Sequence, residues 1–261
     1  MTYLKSILLT ATSCLCLLFT NMATAAGPNI TVCSVDANGS RGTAWTLNGG
    51  AATDLRAKLL NAVHFNQSPP GIEPISFTIV DGFGSEDSIT AASLQSNGCE
   101  VFFKGYIRDS DISSAERTAI YNWVNNNGGT LLSFADSSNY NGLATEFGHS
   151  TSSSNATTWT TTAIGASHPI FNGPFGTATT LDTVELKTYF NNTTGATILA
   201  TETNNTNRAT VIDRAIGNGH AVFVGDIDMV TRGISSGNGN NTEQDHAALN
   251  MFAFAATTYN E

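Results

Sequence analysis

The chain has 261 residues, 21 acidic against 11 basic, for a formal charge of -10, and only 12 % of its positions are charged. Its polarity comes from Thr, Ser, Asn and 24 Gly, while 41 % apolar residues with 14 Phe and 3 Trp supply a core. Disorder throughout is thereby excluded, and so is a nucleic-acid partner, which would call for basic clusters.

The N-terminus reads as a secretory signal peptide. Lys5 precedes an apolar run from Ile7 to Phe19, and Ala23-Thr24-Ala25 offers the small residues of a cleavage site after Ala25. The run is short for a spanning helix of about 20 apolar residues, so no membrane span is expected after cleavage. A lipidated Cys14 or Cys16 is the rival reading, but the apolar stretch continues past both. The expectation is therefore a periplasmic or secreted chain with one domain over 26–261. Its lysines are then Lys58, Lys104 and Lys187, and its cysteines Cys33 and Cys99. Two cysteines are too few for a disulfide framework, and the five scattered histidines show no zinc spacing.

In chain order, the β-branched run Asn29 to Val35 predicts a strand emptying into Asp36-Ala-Asn-Gly39. A helix is expected from about Thr53, with Leu55, Leu59, Leu60 and Val63 on one face. Ile75 to Val80 predicts a second strand, Ser88 to Gln95 a short helix, and Cys99 to Gly105 a third strand. Ser113-Ser-Ala-Glu116 is a capping box opening a helix that Asn127-Gly128-Gly129 stops, and Thr130 to Ala135 is the fourth strand. Strands alternating with helices at these spacings predict a parallel α/β sheet with right-handed crossovers.

After Gly148 the texture changes. Residues 149–162 are nearly all Ser, Thr, Asn and Ala and read as an exposed loop or an edge hairpin. Strand-like runs follow at Thr180 to Leu186, Ala196 to Thr201, Ala209 to Arg214 and His220 to Gly225, and short turns between the last three favour antiparallel pairing. A final helix from near Thr242 turns Leu249, Met251, Phe252 and Phe254 inward.

Four stretches in this order carry a resemblance: Asn125-Asn-Asn-Gly-Gly-Thr-Leu-Leu-Ser-Phe-Ala-Asp136, Gly142-Leu-Ala-Thr-Glu-Phe-Gly148, His168-Pro-Ile-Phe-Asn-Gly173 and Gly219-His-Ala-Val-Phe-Val-Gly-Asp226. Over residues 29–257 the chain resembles class I glutamine amidotransferase-like domains. It is most similar to their non-catalytic exported branch, the auxiliary domains of gliding-type ABC transporters and the ThuA-like proteins. The resemblance implies a flavodoxin-like three-layer sandwich, its sheet mostly parallel with antiparallel strands in the C-terminal half. The amidotransferase nucleophile would follow the fourth strand, where Asp136-Ser137-Ser138 has no cysteine. In place of the partner His-Pro-Glu stands Gly225-Asp226-Ile227-Asp228. Both catalytic positions are replaced, and Ser137 lacks a Gly-x-Ser-x-Gly elbow.

Open α/β sheets bind ligands at the carboxyl ends of their strands. That rule gathers Asp36 and Asn38; Asp81; Lys104, Tyr106, Arg108 and Asp109; Asp136, Ser137 and Asn139; and Asp226 and Asp228, with Glu243 and His246 arriving on the last helix. Carboxylates, amides and hydroxyls with one aromatic suit a hard cation such as calcium, above all at Asp226 and Asp228, or a polyhydroxylated ligand such as a sugar. No other cofactor is expected. Against this, Asp36 and Asp136 each better suit the tying down of their own turns, Asp111 suits a helix start, and His246 a solvated position. Trp45, in a Gly-rich loop, suits an aromatic platform or packing against the first helix. In the flavodoxin-like order Cys33 and Cys99 lie on neighbouring strands, but one is mid-strand and the other at a strand start, so two free buried thiols are expected. The functional expectation is an exported binding domain for a glycan or an envelope protein. The alternatives are an extracellular hydrolase using Asp136 or Asp226, and a structural surface protein without a small ligand.

Overall fold

The computed structural model describes residues 27–67, 71–137, 139–182 and 187–258. The expected leader and most of the Thr180 to Leu186 run lie outside these residues. Four strands alternating with three helices build the first half: β1 (Asn29–Ser34), α1 (Thr53–Leu59), β2 (Ser76–Asp81), α2 (Ala91–Ser96), β3 (Val101–Lys104), α3 (Ser114–Asn127) and β4 (Thr130–Phe134). After α4 (Gly142–Glu146) come β5 (Ser150–Ser154), β6 (Thr158–Thr161), a two-residue hairpin pair β7 (Asn172–Gly173) and β8 (Gly176–Thr177), and β9 (Thr180–Asp182). β10 (Lys187–Asn192), β11 (Thr197–Glu202), β12 (Asn205–Ile216), β13 (Gly219–Val224) and α5 (Glu243–Thr258) complete the chain.

The result is a mixed α/β fold around one large sheet ordered β2-β1-β3-β4-β13-β12-β11-β6-β9. From β2 to β13 the neighbours are parallel; from β13 to β9 they are antiparallel. β10 joins through β12 and carries β5 on its other side. The central parallel strands β3 and β4 are buried along their whole length, which explains their apolar runs, while the edge strand β2 is only partly covered. Ile30, Val32, Val101, Phe103, Leu132 and Phe134 face one core with α1 and α5. Cys33, Phe102, Leu131, Ala221 and Phe223 face the other with α2, α3 and α4.

The capping box forms as expected: the Ser113 hydroxyl accepts the Glu116 N–H, the Glu116 carboxylate accepts the Ser113 N–H, and Gly128 ends α3 at φ 78. A left-handed φ at that position favours glycine, since it has no Cβ to strain. α1 is shorter than its apolar pattern. It ends at Leu59, so Leu60 and Val63 are 52 % and 67 % exposed rather than on the buried face. Residues 149–162 are neither loop nor hairpin, because β5 pairs with β10 while β6 pairs with β11 and β9. Their hydroxyl-rich sequence hides two strands whose partners lie far along the chain. β10 has no counterpart among the strands expected from sequence.

The two free thiols are also corrected: Cys33 and Cys99 form a disulfide with Cα atoms 5.6 Å apart. Cys99 precedes β3, yet its N–H donates to Leu94 and the next N–H to Thr31 of β1, and these bonds fold it against the neighbouring strand. Among the described residues no helix is long and apolar enough to cross a membrane.

Candidate functional site

The parallel strands β1, β3, β4 and β13 end on one side of the sheet, and their four exit loops build the candidate site. The loop after β1 is shaped by its own polar side chains. Asp36 accepts the Asn38 N–H at 2.9 Å and the Asn48 amide at 2.8 Å. Those two bonds hold its carboxyl below the usual carboxylate range, against the small opposing effect of burial. Further on, the buried Arg41 donates to Phe83 O, Asp111 O and Ser88 and pairs with Glu116 at 2.8 Å, which ties the loop to α3. Thr43 donates to Tyr106 O at 3.0 Å. Trp45 is thereby seated against the end of β3, its ring centroid 5.3 Å from that of Tyr106 in an edge-on contact. Gly105 permits this approach, because a Cβ there would stand 2.2 Å from Trp45 O.

Lys104, the last residue of β3, is fully buried and donates to Phe134 O at 3.1 Å and Tyr140 O at 2.7 Å. Burial pulls its ammonium down to about 8, with Asp109 and Asp136 resisting. The amine thus pins the loop after β4 and stacks Tyr140 on Tyr106 at 3.8 Å between centroids and 17° between planes. Burial, with the hydrogen bonds to Tyr140 and Asp136, pushes the Tyr106 hydroxyl up. Arg108 Nε reaches the Tyr140 hydroxyl at 3.4 Å.

The exit of β13 carries two aspartates with different tasks. Asp226 accepts the Asp228 N–H at 2.8 Å, capping the 3-10 turn Ile227–Val230. It is 0 % exposed, and its other oxygen has no hydrogen-bond partner. Burial pushes its carboxyl up to about 8; the Asp228 N–H opposes this, the charges of Asp228 and Asp136 reinforce it, and Lys187 opposes it. Asp228 reaches the surface of the site, where it accepts the Thr231 hydroxyl at 3.2 Å and meets Arg232 at 3.6 Å. The Arg232 guanidinium lies 5.9 Å from the Trp45 ring centroid, a cation–π distance.

Two clefts result, one on each side of Tyr106. The larger, about 450 Å³, is lined by Tyr106, Arg108, Asp109, Ser137, Asn139 and Tyr140. The smaller, about 80 Å³, lies between Trp45, Tyr106, Asp136, Ile227, Asp228 and Arg232. Of the residues expected at strand ends, Tyr106, Arg108, Asp109, Asp136, Ser137, Asn139 and Asp228 come together here. Asp36 and Asn38 do not, since they close their own turn. Asp226 lies beneath the site rather than on it. Asp81 pairs with Arg56 at 2.8 Å. Glu243 accepts the Thr179 and Thr180 N–H groups, and His246 meets Thr177 O, so both serve the β8 and β9 segment.

Trp45 is half-buried: it packs against the core that includes Leu55 and Leu59 of α1, and it also lines the smaller cleft. Tyr140 and Arg232 were not expected, although both follow from strand-end placement once the loops are given four or six residues of reach. Asp109, which lines the larger cleft, also accepts the Asn141 and Gly142 N–H groups and so opens α4. The arrangement offers aromatic faces, ionised side chains and hydroxyls side by side, the repertoire that binds polar ligands with apolar faces. Calcium has less support at Asp226 and Asp228: one Asp226 oxygen is spent on a backbone N–H, and Asp228 already meets a hydroxyl and a guanidinium.

No protein-family model matches the chain, and no curated protein does. Among solved structures it is similar to the mmIFT52 N-terminal domain, at 14 % identity over 88 % of this chain and 97 % of that one, with a TM-score of 0.51. A cytoplasmic protein from Salmonella typhimurium LT2 matches at 12 % identity over 88 % of this chain and 99 % of that one, also at 0.51. The exo-beta-1,4-mannosidase Op5Man5 from Opitutaceae bacterium strain TAV5 matches at 15 % identity and a TM-score of 0.43 over 90 % of this chain, which spans 34 % of the enzyme's length. The first two similarities concern the fold alone.

Proposed function

We propose that the chain is an exported, non-catalytic binding domain that recognises a glycan at the strand-end face. The observation carrying this reading is an aromatic ridge of the half-buried Trp45 and Tyr106 beside two polar clefts, with the buried Tyr140 stacked behind Tyr106. Sugars present apolar ring faces and hydroxyl edges together, and this ridge with its flanking carboxylates and guanidinium groups offers a partner to each. Export is supported by the disulfide, a bond that persists in oxidising compartments, together with the leader-like N-terminus.

We further read the fold as a flavodoxin-like three-layer sandwich of the glutamine amidotransferase-like kind. The parallel order β2-β1-β3-β4-β13 supports it, as does the placement of helices against both cores. The two replaced catalytic positions, at Ser137 and at Asp226, follow strands that are neighbours in the sheet. Hydrolysis is the second reading, motivated by the proton that Asp226 retains at neutral pH. Its complete burial places that proton out of reach of a ligand in the clefts, which favours binding over turnover.

The test is a glycan array probed with the mature chain and with Trp45→Ala. Removing an interface tryptophan costs about 2 kcal/mol, roughly thirtyfold in affinity. The reading expects the bound glycan class to be lost from the variant without turnover of the ligand. Equal profiles for both proteins would remove this face, and products released from the bound glycan would favour the hydrolase.

A further inference from the structure

We propose that the strand-end face takes an acidic oligosaccharide, with a carboxylated sugar in the larger cleft and the hydroxyl edge of a neutral sugar in the smaller one. This rests on the glycan reading above and specifies its ligand.

The two clefts differ in size and in charge. At about 80 Å³ the smaller has room for a few water molecules at roughly 30 Å³ each, enough for the hydroxyls of a ring edge but not for a ring. The larger, about 450 Å³, falls within the range of small-ligand sites. Asp136, Asp228 and Arg232 are the charged residues lining the smaller cleft, so its lining is net negative and disfavours an anion. Its carboxylates accept hydroxyl protons instead.

In the larger cleft the charges of Arg108 and Asp109 balance, and the aspartate is already engaged. Both Asp109 carboxylate oxygens already accept backbone N–H groups, at 2.7 Å from Gly142 and 3.1 Å from Asn141. Arg108 is exposed, and among the described residues only its Nε is engaged, by the Tyr140 hydroxyl. The donors remaining on its guanidinium match a carboxylate in pairs, and Ser110, Ser137 and Asn139 line the same cleft. Tyr106 lines both clefts, so a chain crossing it lays one sugar on each side. The net negative lining of the smaller cleft then directs a carboxylate to the larger one, where Arg108 has donors to offer.

The experiment titrates the mature chain, by calorimetry or Trp fluorescence, with uronate-containing di- to hexasaccharides, each paired with its carboxyl-reduced counterpart. The expected result is an acid form bound about tenfold more tightly than its reduced counterpart, the size of one charge-assisted contact. Arg108→Gln should abolish that preference at unchanged Tm, while Trp45→Ala should weaken both forms. If the reduced sugars bind as well as the acids, or Arg108→Gln keeps the preference, the acidic-sugar assignment is overturned and the glycan reading stands. If no member of any pair binds, both are overturned.

Discussion

Removing the Cys33–Cys99 bridge should cost the domain a large share of its stability. The disulfide closes a segment of 66 residues that contains the Trp45 loop, α1, β2 and α2. On the chain-entropy relation, opening a loop of that length restores about 4 kcal/mol of freedom to the unfolded chain. For a domain of this size each kcal/mol moves Tm by roughly 2–4 °C, so Cys33→Ala with Cys99→Ala should lower Tm by about 8–16 °C. Both sulfurs are buried within the core shared with α2 and α3, and their truncation adds to the loss. The assay is a urea or thermal melt of the double variant beside the parent. A thiol titration of the mature chain in denaturant without reductant should find no free sulfhydryl. Two thiols per chain, or a Tm within about 2 °C of the parent, would refute the reasoning.

Three further substitutions probe other parts of the molecule. Lys58 and Asp245 pair at 3.5 Å with both side chains at 0 % exposure, so Lys58→Met strands a buried carboxylate and should cost about 3–5 kcal/mol in urea unfolding. Burial raises the Asp245 carboxyl, but hydrogen bonds from Ser235 and Asn241 with the Lys58 charge outweigh it and hold it below its ordinary 3.8. Its contribution is therefore present above pH 3.8 and lost as pH falls through the lower folded value, which a pH series of melts in acid would show. Asp226 has the opposite sign: its folded value near 8 lies above the ordinary 3.8, so the stability it confers is full below pH 3.8 and is lost as pH rises through 8. Asp226→Asn, which mimics the protonated form, should gain on the parent in melts as pH climbs from 4 to 8; a gap that shrinks instead would count against the assignment. Gly105→Ala puts a Cβ 2.2 Å from Trp45 O and should push the Trp45 loop off Tyr106, weakening glycan binding by more than it lowers Tm.

Much of the first half was legible because its signals are local. The Ser113 to Glu116 capping box and the apolar runs of the parallel strands each specify their element within a few residues. The second half depends on distant partners. β5 reads Ser-Thr-Ser-Ser-Ser and becomes a strand by pairing with β10, and nothing within its five residues announces that. The site divides in the same way. Strand-end placement found Tyr106, Asp136 and Asp228, but whether an aspartate faces a cleft or a turn is decided by backbone N–H groups that sequence does not place. Asp36 turned to Asn38, and Asp226 sank beneath Asp228. Tyr140 and Arg232 reach the site only because Lys104 pins one loop and the 3-10 turn after Asp226 aims the other. The disulfide was missed because a short loop, not the strand register, carries Cys99 to β1.

The central claim is that the ridge of Trp45 and Tyr106, backed by Tyr140, and the two clefts beside it form a glycan-binding face. Affinity of the mature chain and of Trp45→Ala and Asp228→Asn for the glycan selected on an array, measured by calorimetry, tests it most directly. A loss of roughly thirtyfold or more is expected in Trp45→Ala and a weaker loss in Asp228→Asn, both under conditions where each variant's melt shows it folded. Undiminished affinity in both variants, or no glycan bound by the parent, would contradict it.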